Sequence, residues 1–297
     1  MTLDQLRIFV AVAELEHVTR AAGQLNLTQS AVSAAISALE HRHDMKLFDR
    51  IGRRVALTQE GRIFLAEARA LLVAAQRTEK VLTDIAGLKT GRLNVAASQT
   101  TGNYWLPPRL SHFAELYPGV AVRLTIGNSH EVAELAAAGE IDLGLVEGAV
   151  SDPLLTVARV DDDELLVVAA PALAAAYAAA DSAAILGAPW VAREKGSGTR
   201  EAFDELVESL APPDQERRIV LELPSNESLR TAVEAGAGLA VMSSLVARAS
   251  IKAGALVRLP FALPKRPFYV LSHRQLYTSR AAKAMLALMF EGGPAKS

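Results

Sequence analysis

Between Leu27 and Glu40 the chain reads L-T-Q-S-A-V-S-A-A-I-S-A-L-E. Val32, Ile36 and Leu39 recur there at i, i+4 and i+7, the spacing of one buried helix face. Thr28 stands at the N-cap, where a hydroxyl satisfies an orphan N–H of the first turn. The other face offers Gln29, Ser30, Ser33, Ala34 and Ser37, short or flat groups with no bulk to hold a surface away. That pattern fits an ordinary amphipathic surface helix. It also fits insertion into the DNA major groove, and the context must decide. Upstream, Thr2 caps a predicted helix from about Leu3 to Leu15, with Leu6, Phe9, Val10 and Ala13 inward. A second helix starts near Thr19 and uses Ala21, Ala22 and Leu25 as contacts, small enough for close helix approach. Only Asn26, Leu27 and Thr28 separate it from the third helix, which is a helix-turn-helix arrangement.

Beyond the third helix, Gly52 with alternating Val55 and Leu57 predicts a short hairpin, a wing, with Arg53 and Arg54 at its tip. From Gln59 to about Leu88 there is no proline, and no glycine between Gly61 and Gly87. Phe64, Leu71, Ala74, Thr78, Val81, Ile85 and Leu88 recur at three-four spacing, with Glu67 inside the series. This is a heptad-like seam, weakened by Ala74 and Thr78, and suited to a dimer that has help from elsewhere. A helix packed on its own domain gives the same pattern. Lys89-Thr90-Gly91 ends it.

The remaining two-thirds alternates strands and helices. Leu93–Ala97, Val120–Ile126 and Ile141–Glu147 read as strands around helices through Leu106–Phe113 and Val132–Leu135, a β-α-β-α-β run that favours a parallel sheet. Glu164–Ala170 and Trp190–Ala192 begin a second unit. Asn226 opens a further helix, Gly236–Met242 enters a strand, and a strand at Phe268–Ser272 precedes a final helix from Ser279 to Phe290. Two lobes joined by crossings near Asp161–Asp163 and Pro264–Pro267 describe a periplasmic-binding-protein-like effector domain. The expected fold is thus multi-domain: an α-helical winged helix-turn-helix over 1–58, a linker helix over 59–89, and an α/β effector domain over 90–297. Its lobe I would comprise 91–161 and 267–292, and its lobe II 162–266.

Ligands in such a domain sit outside the carboxyl ends of strands. The loops expected there carry Ser98, Gln99, Thr100, Thr101, Asn128, Glu147, Gly148, Arg193, Gly196, Ser197, Gly198, Thr199 and Asn226. The strongest signal is R-E-K-G-S-G-T-R-E at 193–201, where glycines let the backbone bend around something small and a helix points its positive end at the same place. It has neither the Walker nor the dinucleotide spacing, and a capped glycine-rich surface loop is the plain alternative. Hydroxyls, amides, glycine N–H groups and cations favour an anion. Glu147 is the exception, placed to accept from a ligand proton or amine or to pair with Arg193.

Composition narrows the classes. The 297 residues suffice for two or three domains, and the net charge of −2 excludes a polybasic nucleic-acid coat. Residues 1–60 hold seven basic and seven acidic side chains, so DNA affinity would need a dimer, a local basic face and direct base contacts. The absence of cysteine excludes disulfides, thiolate zinc sites and thiol nucleophiles. The N-terminus lacks the apolar core of a secretory signal, and Pro171, Tyr177 and Asp181 interrupt the alanine-rich run at 169–184. A soluble, cytoplasmic protein with no membrane partner is expected. The six histidines make no H-E-x-x-H pair and there is no G-x-S-x-G elbow. Three consecutive acids at 161–163 cannot all face one site. No enzyme activity, metal or cofactor is expected.

The patterns L-x-x-F-x-x-V-A-E, then T-R-A-A-G-Q-L-N-L-T-Q-S-A-V-S-x-x-I-x-x-L-E, L-F-D-R and R-x-x-x-L-T-x-E-G resemble the LysR-type transcriptional regulators. Many of those have a long polar or basic residue where Ala34 and Ala35 stand, so Gln29, Ser30 and Ser33 must supply the hydrogen-bonding readout, with Ala34 left to touch a thymine methyl. The resemblance implies a regulator that binds double-stranded promoter DNA. It implies dimers through the linker helix, a tetramer, and contact with RNA polymerase. The segments A-S-Q-T-T-G and R-E-x-G-S-G-T-R-E look most like the CbbR-, CysL- and YeiE-like subgroup, whose effectors include phosphorylated sugars and sulfur oxyanions. The effector implied is sulfite or a similar sulfur oxyanion, or a phosphorylated or carboxylated metabolite. The alternative of another class is a solute-binding sensor whose N-terminal helices contact only protein.

Overall fold

The structure is a computed structural model that describes residues 1–52, 54–85, 91–177, 182–210 and 218–291. The chain divides into two compact units, 1–82 and 83–297.

In the first unit, α1 (Leu3–Leu15) is closed at its start by a capping box between Thr2 and Gln5. Then come α2 (Val18–Leu25), α3 (Gln29–His43), β1 (Phe48–Ile51), β2 (Arg54–Leu57) and α4 (Gln59–Ile85). Val32, Ile36 and Leu39 of α3 pack with Leu6, Phe9, Val12, Ala21, Ala22 and Leu47 in one core. The face of α1 is wider than its spacing predicts. Ile8, Ala11 and Val12 are buried too, and Val10 only half-buried, because both α2 and α3 pack on this helix. α3 outlasts Glu40 by three residues and stops at a left-handed Asp44. Glu40 Oε1 accepts from the backbone N–H of Leu47 and Phe48 at 2.8 and 3.2 Å, which fixes the turn into the wing.

The α4 series divides. Phe64 belongs to the core of its own domain, its ring 4.8 Å from that of Phe9. Ile63, Leu71 and Leu82 are exposed, an apolar edge left uncovered among the described residues. Leu88 lies outside the described residues.

The second unit holds β3 (Gly91–Ser98), a π-helical turn (Thr101–Trp105), α5 (Pro107–Leu116), β4 (Val120–Gly127), α6 (Ser129–Ala137), β5 (Leu143–Glu147) and β6 (Leu155–Asp163). Next come β7 (Leu165–Ala169), α7 (Pro171–Tyr177), α8 (Ser182–Leu186), β8 (Trp190–Arg193), α9 (Gly198–Leu210), β9 (Ile219–Leu223) and α10 (Asn226–Glu234). The chain ends with β10 (Ala240–Ser243), α11 (Ser244–Lys252), β11 (Val257–Arg258), β12 (Arg266–His273) and α12 (Arg280–Glu291). One sheet has the order β4-β3-β5-β12-β6, with β3 parallel to β4 and β5, and β12 antiparallel to β5 and β6. The second lobe joins β10-β7-β11 to the parallel pair β8-β9 through a bridge between Trp190 and Leu239. Each lobe has its own apolar cluster, around Phe113 and Phe268 in one and Trp190 and Phe203 in the other.

Strands β6 and β9 and helix α11 carry no periodicity that announced them. β9 lies at a sheet edge with its three middle residues exposed, and β6 ends in three aspartates. Those acids separate as strand geometry demands. Asp161 accepts from Trp105 Nε1 at 2.7 Å, Asp162 pairs with Arg159, and Asp163 pairs with Arg266. The two interlobe crossings are themselves paired, Arg266 opposite Asp163 and Pro267 opposite Asp162.

Candidate functional site

On α3, Thr28 Oγ1 accepts from the Ala31 N–H at 3.2 Å and lies 3.0 Å from Ser30 Oγ. Gln29, Ser30, Ala34 and Ser37 are exposed and Ser33 is half-buried, so the polar face survives folding unoccupied by the domain's own core. The wing is tied back by the Val55 N–H donating to Glu16 O at 3.1 Å. Arg54 is exposed at its tip, and Arg53 lies outside the described residues.

In the second unit, the expected cleft residues fall into two connected groups. The first spans the lobes. Arg193 donates from Nε and Nη2 to both carboxylate oxygens of Glu194 at 2.7 Å and from Nη1 to Asn226 Oδ1. Asn226 Nδ2 donates to Thr100 Oγ1 at 3.0 Å, and its backbone N–H to Gln99 Oε1 at 2.9 Å. Gln99 Nε2 reaches Pro224 O at 2.9 Å. The charge of Arg193 is therefore neutralised locally by its sequence neighbour.

The second group surrounds Glu147, which is 4% exposed. Ser129 Oγ donates to its Oε2 at 3.0 Å, and Arg266 Nη2 stands 4.0 Å from its Oε1. Burial pushes the Glu147 carboxyl up, but Arg266 and the hydroxyls of Ser98, Thr100 and Ser129 more than reverse this, leaving it below the ordinary range. Of the two roles open to Glu147 from sequence, the pair with Arg193 does not form, because Arg193 is held by Glu194 and Asn226 while Arg266 approaches the acid from β12. Arg266 also donates to Thr199 Oγ1 at 3.2 Å. Burial outweighs Arg266 at Asp163 and raises its carboxyl; burial and Glu205 raise Glu201.

The glycines work as close-approach points. A Cβ on Gly198 would stand 2.8 Å from Glu147 O, so α9 can start against β5 only without a side chain. Gly196 has φ +85°, and its carbonyl accepts from the His130 N–H at 3.2 Å. Ser197 Oγ accepts from the Thr199 N–H at 3.2 Å and so caps α9. Asn128 caps α6 with Glu131, and the Thr101 hydroxyl lies against Leu145 O at 3.2 Å. Open space flanks Glu147. A cavity of about 500 Å³ is lined by Ser129, His130, Glu147, Asp152, Gly196 and Glu201 among others, and one of about 350 Å³ by Gly148, Gly198, Glu201 and Arg266 among others. Ser129, Glu201 and Arg266 were not among the residues singled out from sequence. The available signal for Arg266 was a cation between Pro264 and Pro267 at a crossing.

Two family models match: "Bacterial regulatory helix-turn-helix protein, lysR family" over residues 3–62, and "LysR substrate binding domain" over 86–293. The chain belongs to the LysR family of transcriptional regulators. This LysR-family protein is 34% identical over 294 residues to the uncharacterized HTH-type transcriptional regulator YeiE of Escherichia coli K12, covering 96% of each chain. It is 32% identical over 287 residues to the RuBisCO operon transcriptional regulator of Allochromatium vinosum, covering 96% and 94%. Among solved structures it resembles CbnR in complex with its target DNA, at TM-score 0.71 and 23% identity over 98% of both chains. It also resembles full-length AphB of Vibrio cholerae, at TM-score 0.64 and 18% identity over 98% and 99%. Those two likenesses establish the full-length LysR fold. The family is one of DNA-binding transcriptional regulators with an effector-binding domain. No helix among the described residues is long and apolar enough to cross a membrane, and none of their His, Cys, Asp and Glu side chains form a group of three or more that would hold a metal.

Proposed function

We propose that the protein is a cytoplasmic, non-catalytic regulator whose promoter binding responds to a small anion in the interlobe cleft. Gln29, Ser30, Ser33, Ala34 and Ser37 read major-groove edges from α3, while Arg53 and Arg54 grip the phosphate or the minor groove beside it. Two chains join along the exposed edge of α4 at Leu71 and Leu82, which sets the spacing of two half-sites. Dimers pair as tetramers, and effector-driven closure alters DNA bending and access of RNA polymerase. The effector is a sulfur oxyanion such as sulfite, or a phosphorylated or carboxylated metabolite.

The observation that carries the effector reading is the cavity of about 350 Å³ lined by Gly198 at the start of α9 and by Arg266, whose buried Nε has no hydrogen-bond partner among the described residues. A thermal-shift screen of oxyanions and phosphorylated metabolites tests it, with a rise in melting temperature expected for a hit and its loss in Ser98→Ala or Thr199→Ala. A shift retained in both variants would put the ligand elsewhere. A gel shift on the protein's own promoter tests DNA binding; unchanged DNA mobility at low salt would sink that part.

A further inference from the structure

In the first unit, α3 and α4 are tied to each other through a strap of three residues, Lys46, Leu47 and Phe48. Glu40, near the end of α3, takes two of the strap's N–H groups: its Oε1 accepts from Leu47 at 2.8 Å and from Phe48 at 3.2 Å. Thr58, just before α4, takes two of its carbonyls. The Thr58 hydroxyl donates to Lys46 O at 2.8 Å, and the Thr58 backbone N–H donates to Leu47 O at 3.1 Å. The same hydroxyl accepts from the Gly61 N–H at 2.9 Å in the first turn of α4, so its proton and a lone pair are both used. Gly61 lies so close to the strap that a Cβ there would collide with Leu47 O.

These bonds fix an angle. The two helices also share a core, with Leu39, Leu47, Phe64 and Ala68 in one cluster. Apolar burial is non-directional, and by itself it tolerates small rotations of one helix on the other. Hydrogen bonds weaken steeply as donor and acceptor turn out of line. The strap meets α3 along one edge and α4 along the other, so a tilt between the helices must break bonds at Glu40 or at Thr58. A break at Glu40 strands the N–H of Leu47, a residue only 2% exposed, and a buried donor without a partner is costly. Phe48 opens β1, so the same contact also aligns the wing.

We propose that Glu40 and Thr58 are positioning residues for DNA recognition, which lock α3 at one angle to α4 and so restrict a dimer to one half-site spacing. This rests on the proposed roles of α3 in reading bases and of α4 in pairing two chains. Once α4 is paired, the angle at each end sets how far apart, and at what rotation, the two copies of α3 stand. A strap with play in it would accept neighbouring spacings. A strap bonded on both edges rejects them.

Anisotropy titration of the full chain with duplexes from its own promoter tests this, using the natural site and sites with one base pair added to or removed from the centre. One base pair moves a half-site by about 3.4 Å along the duplex. Wild-type protein should bind the altered spacings roughly tenfold or more weaker than the natural one. Glu40→Ala and Thr58→Val, which remove the bonds, should bind all of these duplexes within about threefold of one another. Glu40→Gln keeps the acceptor and Thr58→Ser the hydroxyl, and both should discriminate as wild type does. Discrimination unchanged in Glu40→Ala and Thr58→Val would overturn the positioning role and leave DNA reading by α3 standing. Wild-type indifference to spacing would overturn the paired half-site reading, and the positioning role with it. Hydrogen exchange on the wild-type protein decides the rigidity of the strap with no variant to fold. The Leu47 and Phe48 amides should exchange as slowly as those in the middle of α3, and exchange at the rate of an open loop would overturn the proposal.

Discussion

Arg266 and Asp163, on the two crossings between lobes, form an ion pair with side chains 6% and 0% exposed. Ser243 Oγ donates to the other Asp163 oxygen and Thr199 accepts from Arg266, so the hinge is bound to α9 and β10 through one desolvated network. Removing one partner strands the other. Arg266→Met is expected to destabilise the effector unit by about 3–5 kcal/mol, and Arg266→Met with Asp163→Leu by distinctly less. Urea unfolding of both variants measures this; equal losses would show that the pair is not the source.

Glu147 gives the protein an acid-sensitive element. Its folded value lies below the ordinary 4.5, so its stabilising contribution is complete above 4.5 and is lost as pH falls through the folded value. Asp163 and Glu201 run the other way: both are raised, and what they contribute is lost as pH rises from the unfolded through the folded value. The stability gap between wild type and Glu147→Gln should therefore shrink below pH 4.5. Urea midpoints across roughly pH 3.5–6 check it, and a gap that stays constant counts against the pairing.

If α3 reads bases and the wing grips phosphate as proposed, Gln29 and Arg54 should separate in their salt behaviour. Gln29→Ala is expected to weaken binding to the cognate site by about 1–3 kcal/mol while leaving nonspecific binding unchanged. Arg54→Ala should weaken both and lower the slope of log affinity against log salt by about one. Fluorescence anisotropy on cognate and scrambled duplexes resolves the two. Identical effects of both substitutions would remove the distinction between readout and anchoring.

Two glycines should answer alanine in opposite directions. Gly198→Ala drives a methyl into the Glu147 backbone and is expected to cost about 1–3 kcal/mol, with weaker effector binding. Gly23, within α2, has open space where its Cβ would be, and Gly23→Ala should stabilise the DNA-binding unit by about 0.4–1 kcal/mol. Melting temperatures decide both signs.

Much of this was legible in advance. The caps at Thr2 and Thr28 mark their helices because each side chain closes a local bond. Val32, Ile36 and Leu39 mark the buried side of α3 because a helix repeats locally. The charge partners were not legible. Arg193 lies nearer Glu147 in sequence than Arg266 does, yet the chain must return along β12 before any cation reaches that acid. Phe64 fits a dimer seam by spacing, and only the position of Phe9 assigns it to a core.

The placement of β12 between β5 and β6 has a consequence for biosynthesis. Among the described residues β6 pairs with no strand except β12, and β5 has β12 on one side. On the ribosome, Asp163 emerges about a hundred residues before Arg266, roughly 5–20 s earlier at ordinary translation rates. Throughout that interval the first lobe is an open sheet lacking its fourth strand, while the residues between the crossings can complete their own lobe. Nascent chains stalled before Arg266 should be cleaved by protease within the first lobe and spared in the second. The order of synthesis thus makes the second lobe the finished neighbour against which the first one closes.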